Sequence, residues 1–242
     1  MNMTATASPT GASSARLSLI DRFIGIITSP RETFGSVAAH PAWLGMFLLT
    51  ATIVAAGAAL PMTTEAGKQA AVDQQVSAME SFGFTVSDAD YERIQRSTDF
   101  LPYQTAIGAF VMAPVIALVM AGIFFAIFNA GLGGDARFKQ VFAVVVHAGV
   151  ISALAQAFTG PINYLRGSVS SATNLTAVLP MLDDTSFVGR FAGAIDLFII
   201  WWVLALSIGL AVLYRRRTQP IATTLFGIYA VIALAIAAIM GK

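Results

Sequence analysis

Long apolar runs separated by short polar stretches dominate the chain. Five of them hold at most one ionisable residue each: 42–60, 104–131, 142–159, 191–214 and 221–240. A helix needs about 20 apolar residues to cross a hydrocarbon core of about 30 Å, so each run predicts a transmembrane helix. None alternates with period two, which argues against a membrane barrel, the other fold that satisfies every backbone group in lipid. Run 104–131 is longer than a crossing requires and contains Pro114, so a tilt or kink is expected there. The pattern predicts an all-α polytopic membrane protein, a five-transmembrane-helix bundle.

Ahead of the first run, Leu17, Ile20, Phe23, Ile24 and Ile27 share one helical face, with Arg16, Asp21 and Arg22 off it. This predicts an N-terminal amphipathic helix lying in the membrane interface. In SPRETFGSVAAHPAW, residues 29–43, Ser29 can cap a second helix, Pro30 fits its first position, and Glu32 completes a capping box. Pro41 forces His40 out of helical geometry and turns the chain into the first crossing, with Trp43 at the interface. Residues 1–15 are small and polar and lack a basic segment followed by an apolar one. A disordered tail without a cleaved signal peptide is expected there, followed by one membrane domain over 16–242.

The sizeable polar region, 62–103, predicts an extracytoplasmic loop carrying two helices. One covers 65–81; the other covers 88–96 and starts from the S-x-x-D of Ser87 and Asp90. Segment 160–190 reads as a loop with room for one interfacial turn. The G-L-G-G-D of 131–135 lacks the lysine–serine ending of a phosphate loop and reads as a tight turn between crossings. Asn174-Leu175-Thr176 fits a glycosylation sequon, which matters only in a eukaryotic secretory setting.

Composition agrees with a membrane solvent. Hydrophobic residues make up 57% of the chain and charged ones 11%, against about a quarter charged in a soluble domain. With no cysteine, disulfides, thiolate metal sites and thiol nucleophiles are excluded. Net charge is +1 and says little, but its placement orients the chain. Arg16, Arg22 and Arg31 precede the first run, Arg137 and Lys139 lie between the second and third, and Arg215, Arg216 and Arg217 follow the fourth. Those eight face six on the other side, Lys68, Arg93, Arg96, Arg166, Arg190 and Lys242, spread over much longer loops, so by density the positive-inside rule puts the N-terminus in the cytoplasm and the C-terminus outside. Trp43, Arg31, Arg137, Lys139 and the Arg215–Arg217 triplet are the expected interface anchors. Basic residues are too few and scattered for nucleic acid.

The order of features resembles the bacterial members of the Yip (Ypt-interacting protein) domain family. The residues that carry it are Pro30, Phe34, Pro41 and Trp43, then Gly133, Gly134, Phe138 and Lys139, then Asp196, Phe198 and Trp201. The resemblance implies a five-helix membrane protein with a cytoplasmic N-terminus, in a bacterial cytoplasmic membrane. Eukaryotic relatives bind small GTPases. The tyrosine- and glycine-rich signatures of those members are missing here, so small-GTPase binding is not carried over.

Four polar residues in the runs are candidates for an intramembrane site: Asp196, His147, Gln156 and Asn129. Counting from Phe191, Asp196 would lie about 7.5 Å inside its helix, where the dipole favours a negative charge. His147 would lie about 10 Å away in depth, and Gln156 is the better match. Asp196 is therefore expected to pair with Gln156 or backbone rather than with His147. Asn129 is expected to cap or bridge helices. No catalytic, metal or cofactor motif is present, so no enzyme is expected. Small residues such as Gly57, Gly149 and Ala153 suit close helix contacts, within the bundle or on a homodimer face. Two function classes follow: a non-enzymatic scaffold or adaptor that organises lipid or recruits other membrane proteins, and a transporter or channel subunit using Asp196 and His147 in a polar path.

Overall fold

The computed structural model describes residues 17–179, 181, 182 and 186–239. The expected 1–15 tail and the last residue of the fifth run, 240, lie outside them. In chain order the helices are α1 (Leu19–Thr28), α2 (Pro30–Ala39), α3 (Leu44–Ala59), α4 (Glu65–Ser81), α5 (Asp88–Arg96), α6 (Leu101–Phe125), α7 (Phe138–Arg166), α8 (Leu175–Val178), α9 (Phe187–Ala194), α10 (Leu197–Leu213) and α11 (Thr218–Ile239). Three helical stretches are long and apolar enough to cross a membrane: the one containing α6, then α7, then α11. Apolar helices α3 and α10 are shorter, at 16 and 17 residues.

Helix α7 is the central post. It is 61% buried over its apolar window, against 11% for the α6 stretch and 17% for α11. Helices α3, α10 and α6 pack on α7, α11 packs on α10 and α9, and α2 packs on α10 and α7. The core lies where these meet, with Met46, Val144, Ile151, Leu206 and Leu210 buried and Phe34 of α2 driven in among them. On the outside, Ile107, Val111, Ile116 and Val119 of α6 and Val231 and Ile232 of α11 are exposed. An apolar surface this extensive calls for lipid as its solvent.

Contact between α3 and α7 is closest at two glycines. A Cβ on Gly57 would stand 2.6 Å from Gln156 O, and one on Gly160 would stand 2.7 Å from Gly57 O. This contact explains why α7 outruns its predicted end. Run three was expected to stop at Thr159, before Gly160 and Pro161, but the helix continues to Arg166 and ends at Gly167, in the left-handed region with φ 58°. Packing of Gly160 on α3 outweighs its poor helix propensity. Helix α6 runs through Pro114 without a break and is followed by a π turn over Ala126–Gly131.

Run four needs a larger correction. It is two helices, not one: α9 ends at Ala194, Ile195 is extended, and α10 starts after Asp196. The break is held by a bridge in which Leu175 N–H donates to Ile195 O (3.0 Å) and Leu197 N–H to Thr173 O (3.2 Å). The 160–190 segment, expected to be a loop, therefore holds the end of α7, all of α8 and the start of α9. Both halves of the fourth run are apolar, so hydropathy does not mark the join.

The two loop helices lie where the polar pattern puts them. Ser87 caps α5, its hydroxyl donating to Asp90 Oδ2 (2.7 Å) and holding that carboxyl below its ordinary value. At the N-terminus the capping differs from expectation. Ser29 makes no side-chain cap, and the Glu32 box does not form, because Ser29 N–H closes α1 on Gly25 O and its carbonyl accepts from Thr33 Oγ1. The capping box is one helix earlier, between Ser18 and Asp21. The apolar face of α1 is divided as well: Leu19, Phe23, Ile26 and Ile27 pack on the core, while Ile20 and Ile24 point outward.

Candidate functional site

Asp196 is not inside a membrane helix. It is the N-cap of α10, and Oδ1 accepts from Phe198 N–H (2.8 Å) and Ile199 N–H (3.4 Å). Oδ2 accepts from the hydroxyls of Ser171 (2.5 Å) and Thr173 (2.7 Å). The backbone on its other side is gripped by Tyr229 of α11, whose hydroxyl donates to Ala194 O and accepts from Asp196 N–H. One carboxylate thus joins α10 to the segment after α7. No lysine or arginine of the described residues lies within ion-pair distance of it. The expected bond to Gln156 is not made; the bonds to backbone are.

Asp196 and Gln156 nevertheless line one cavity of about 520 Å³ between α3, α7 and α10. Thr159, Asn163, Ser171 and Thr173 also face it, with Phe198 and Trp202 as aromatic walls. Asn163 is 9% exposed, and its Oδ1 is enclosed with no hydrogen-bond donor. Leaving such an acceptor unpaired costs about 1–3 kcal/mol.

His147 sits elsewhere, fully buried in α7. Its Nδ1 donates to Ala143 O (2.7 Å), which leaves Nε2 as an acceptor facing Arg22 Nη1 at 3.5 Å. The same Arg22 nitrogen donates to Ala42 O at 2.7 Å. Arg22 was expected to lie on the polar face of α1; instead it reaches inward and ties α1 to the start of α3 and to α7. Structure and sequence agree that His147 and Asp196 do not meet.

Asn129 bridges helices. Its Nδ2 donates to Ala136 O (2.7 Å), and its Oδ1 accepts from the Tyr214 hydroxyl (2.6 Å) at the end of α10. Tyr214 also stacks on Phe128, centroids 4.7 Å apart. Gly134 makes room for that ring, since a Cβ there would stand 2.7 Å from it. Tyr214→Phe should keep the stack, lose the bond and lower stability by about 1 kcal/mol, read as the unfolding midpoint in detergent.

The expected anchors cluster at this end of the bundle. Arg216 Nη2 donates to Leu132 O (3.0 Å), Arg31 Nη2 to Thr218 Oγ1 (3.0 Å), and Arg137 N–H to Gln140 Oε1 (2.8 Å). Lys139, Arg215 and Arg217 are exposed, and Arg215 adopts φ 52°. Trp43 packs edge-on against Phe142 at 5.0 Å, so part of its ring serves the core. The sequence pattern gives no role to Asn163, Ser171, Thr173, Tyr214 or Tyr229, and reads Arg22 only as a surface charge. The S-A-T-N run at 171–174 was the one local signal, and its sequon asparagine is engaged, capping α8 through Ala177 N–H and donating to Gly193 O. Among the described residues no three His, Asp or Glu side chains converge on a metal position.

An all-helical bundle with a lipid-type exterior, a basic end and a polar cavity at the other end defines a multi-helix integral membrane protein. The chain belongs to the Yip1 domain family, whose model matches residues 24–240. Neither the curated proteins nor the solved structures give a significant match.

Proposed function

We propose that this Yip-family protein crosses a bacterial cytoplasmic membrane five times and acts as a non-enzymatic scaffold or adaptor, presenting its cytoplasmic α1–α2 hairpin to other membrane proteins. Helices α3 and α10 complete the five crossings; at 1.5 Å per residue each covers about 25 Å, and interfacial flanking turns and local thinning supply the rest. The N-terminus is cytoplasmic, with α1 lying in the interface on Ile20 and Ile24. The observation that carries the reading is the fastening of the hairpin: Arg22 to Ala42 and His147, Arg31 to Thr218, and Gln140 Nε2 to Ala38 O at 2.8 Å. A platform bonded at several points to the bundle suits docking rather than gating. The conduit reading, with Asp196 and His147 in one polar path, has less support, because the two residues share neither a bond nor a cavity.

The test is photocrosslinking in native membranes from a probe at Glu32 or Gly35 on the hairpin, compared with one at Ile107. Discrete protein adducts are expected from the hairpin and lipid adducts from Ile107. Hairpin probes that label nothing, together with ion flux in liposomes abolished by Asp196→Asn, would replace the scaffold by a conduit. Orientation is checked by fusions: an enzyme active only outside the cytoplasm should work after Lys242 and fail after Arg217.

A further inference from the structure

The Asp196 cavity does not end at its polar lining. Val54, Ser152 and Trp202 also line a second space of about 370 Å³, which runs between α3, α6 and α7 and is walled by apolar side chains such as Met112, Ile116 and Met120. The two spaces share three lining residues, so a polar chamber and an apolar groove lie side by side against α3, α7 and Trp202.

We propose that this two-part cavity binds an amphiphile carrying a protonated primary amine on an apolar chain, the amine against Asp196, Asn163 and Thr173 and the chain in the groove. Three observations converge on that chemistry. The chamber holds a carboxylate and its lining includes no lysine or arginine, so its field selects a cation. Asn163 lines the chamber and its Oδ1 is enclosed without a donor, so a turn of its amide would offer that oxygen to the N–H donors of an ammonium. Phe198 and Trp202 supply aromatic faces, which attract ammonium groups. A bare metal ion fits less well. Four donors already occupy the Asp196 oxygens, so a metal would have to displace one, whereas an ammonium needs only the field and the neighbouring acceptors. A phosphate finds no basic partner in the chamber, so an amine-headed phospholipid would enter by its ammonium alone. The groove supplies the second half of the recognition. Gly149 borders it, and a Cβ there would meet only Thr50 Oγ1, at 4.0 Å.

The inference shares with the five-crossing reading only the placement of the groove within lipid. Its test uses purified full-length protein in detergent, so its failure is distinguishable from a failure of the topology. Protein is equilibrated with phosphatidylcholine micelles containing phosphatidylethanolamine, phosphatidylglycerol or hexadecylamine, and retained molecules are counted by native mass spectrometry. Retention of an amine-headed species about tenfold over phosphatidylcholine is expected, because only the primary ammonium carries N–H donors. If phosphatidylethanolamine is the retained one, the source is a lipid headgroup; if hexadecylamine, a free amphiphilic amine. Asn163→Leu should abolish the preference by removing the acceptor, and Gly149→Leu by filling the groove, while both leave the α10 cap intact. Equal retention of amine-headed lipid and phosphatidylcholine by the unaltered protein would overturn the proposal. A preference that survives both substitutions would overturn it too, as would preferential retention of phosphatidylglycerol.

Discussion

Gly57→Leu is expected to lower stability by about 3 kcal/mol or more, and Gly160→Val by a similar amount, measured by unfolding in mixed micelles with tryptophan fluorescence as the signal. Both helices are apolar, and lipid is as good a solvent for apolar side chains as a neighbouring helix. Their association therefore depends on close packing rather than on escape from water. At this contact the closest atoms are backbone: Gln156 O faces Gly57, and Gly57 O faces Gly160. Backbone cannot rotate aside as a flexible side chain can, so any added carbon must push α3 and α7 apart. Because α7 is the post on which α3, α6 and α10 all rest, the displacement spreads. Gly122→Ala on α6 is the control. No atom lies within 4 Å of a Cβ there, so that substitution should be neutral, or stabilising by up to about 1 kcal/mol through helix propensity. Equal effects at Gly57 and Gly122 would mean that the close contact does not hold the bundle together.

Asp196→Ala carries the second large effect, a loss of about 3 kcal/mol. It removes the N-cap of α10, typically about 1 kcal/mol, and two charge-assisted hydroxyl bonds worth more than neutral ones. Ser171 and Thr173 are left facing an apolar methyl, and the tie between α10 and the segment following α7 is cut. Asp196→Asn keeps one carbonyl oxygen and should recover more than half of the loss, measured in the same unfolding experiment. If Asp196→Ala costs under about 0.5 kcal/mol, the carboxylate is not a structural joint, and the hydroxyl bonds to it are worth no more than an exposed contact.

Most of the helical framework was legible in the chain, because the solvent imposes it. A run without charges has one stable form in lipid, so the apolar positions announced helices around 42–60, 104–131 and 221–240. Within the 62–103 region the polar pattern did the same for α4, and the S-x-x-D cap did so for α5. Legibility failed where both sides of a boundary were equally apolar. Phe191 to Ala194 and Leu197 to Leu213 read as one run, and only the bridge to Thr173 and Leu175, some twenty residues earlier, shows that the chain breaks at Ile195. The same reason hid the length of α7. Gly160 and Pro161 weaken a helix locally, but the backbone contact with Gly57 is long-range and leaves no local trace.

The polar residues divide in the same way. Sequence alone marked Asp196 and His147 as separate and Asn129 as a residue that caps or bridges helices, although the count for Asp196 assumed a helix that in fact breaks at Ile195. Depth follows from counting along helices, and charge follows from residue type. Only the tertiary structure decided what each polar group bonds to. It turned Arg22 from an outward charge into the tie on His147 and Ala42, made Asp196 the cap of α10 rather than a mid-helix charge, and placed Asn163, its Oδ1 unpaired, in the same cavity lining. Hydrogen bonds are short-ranged and directional, so their partners depend on where distant helices come to rest, and that is settled by packing in three dimensions.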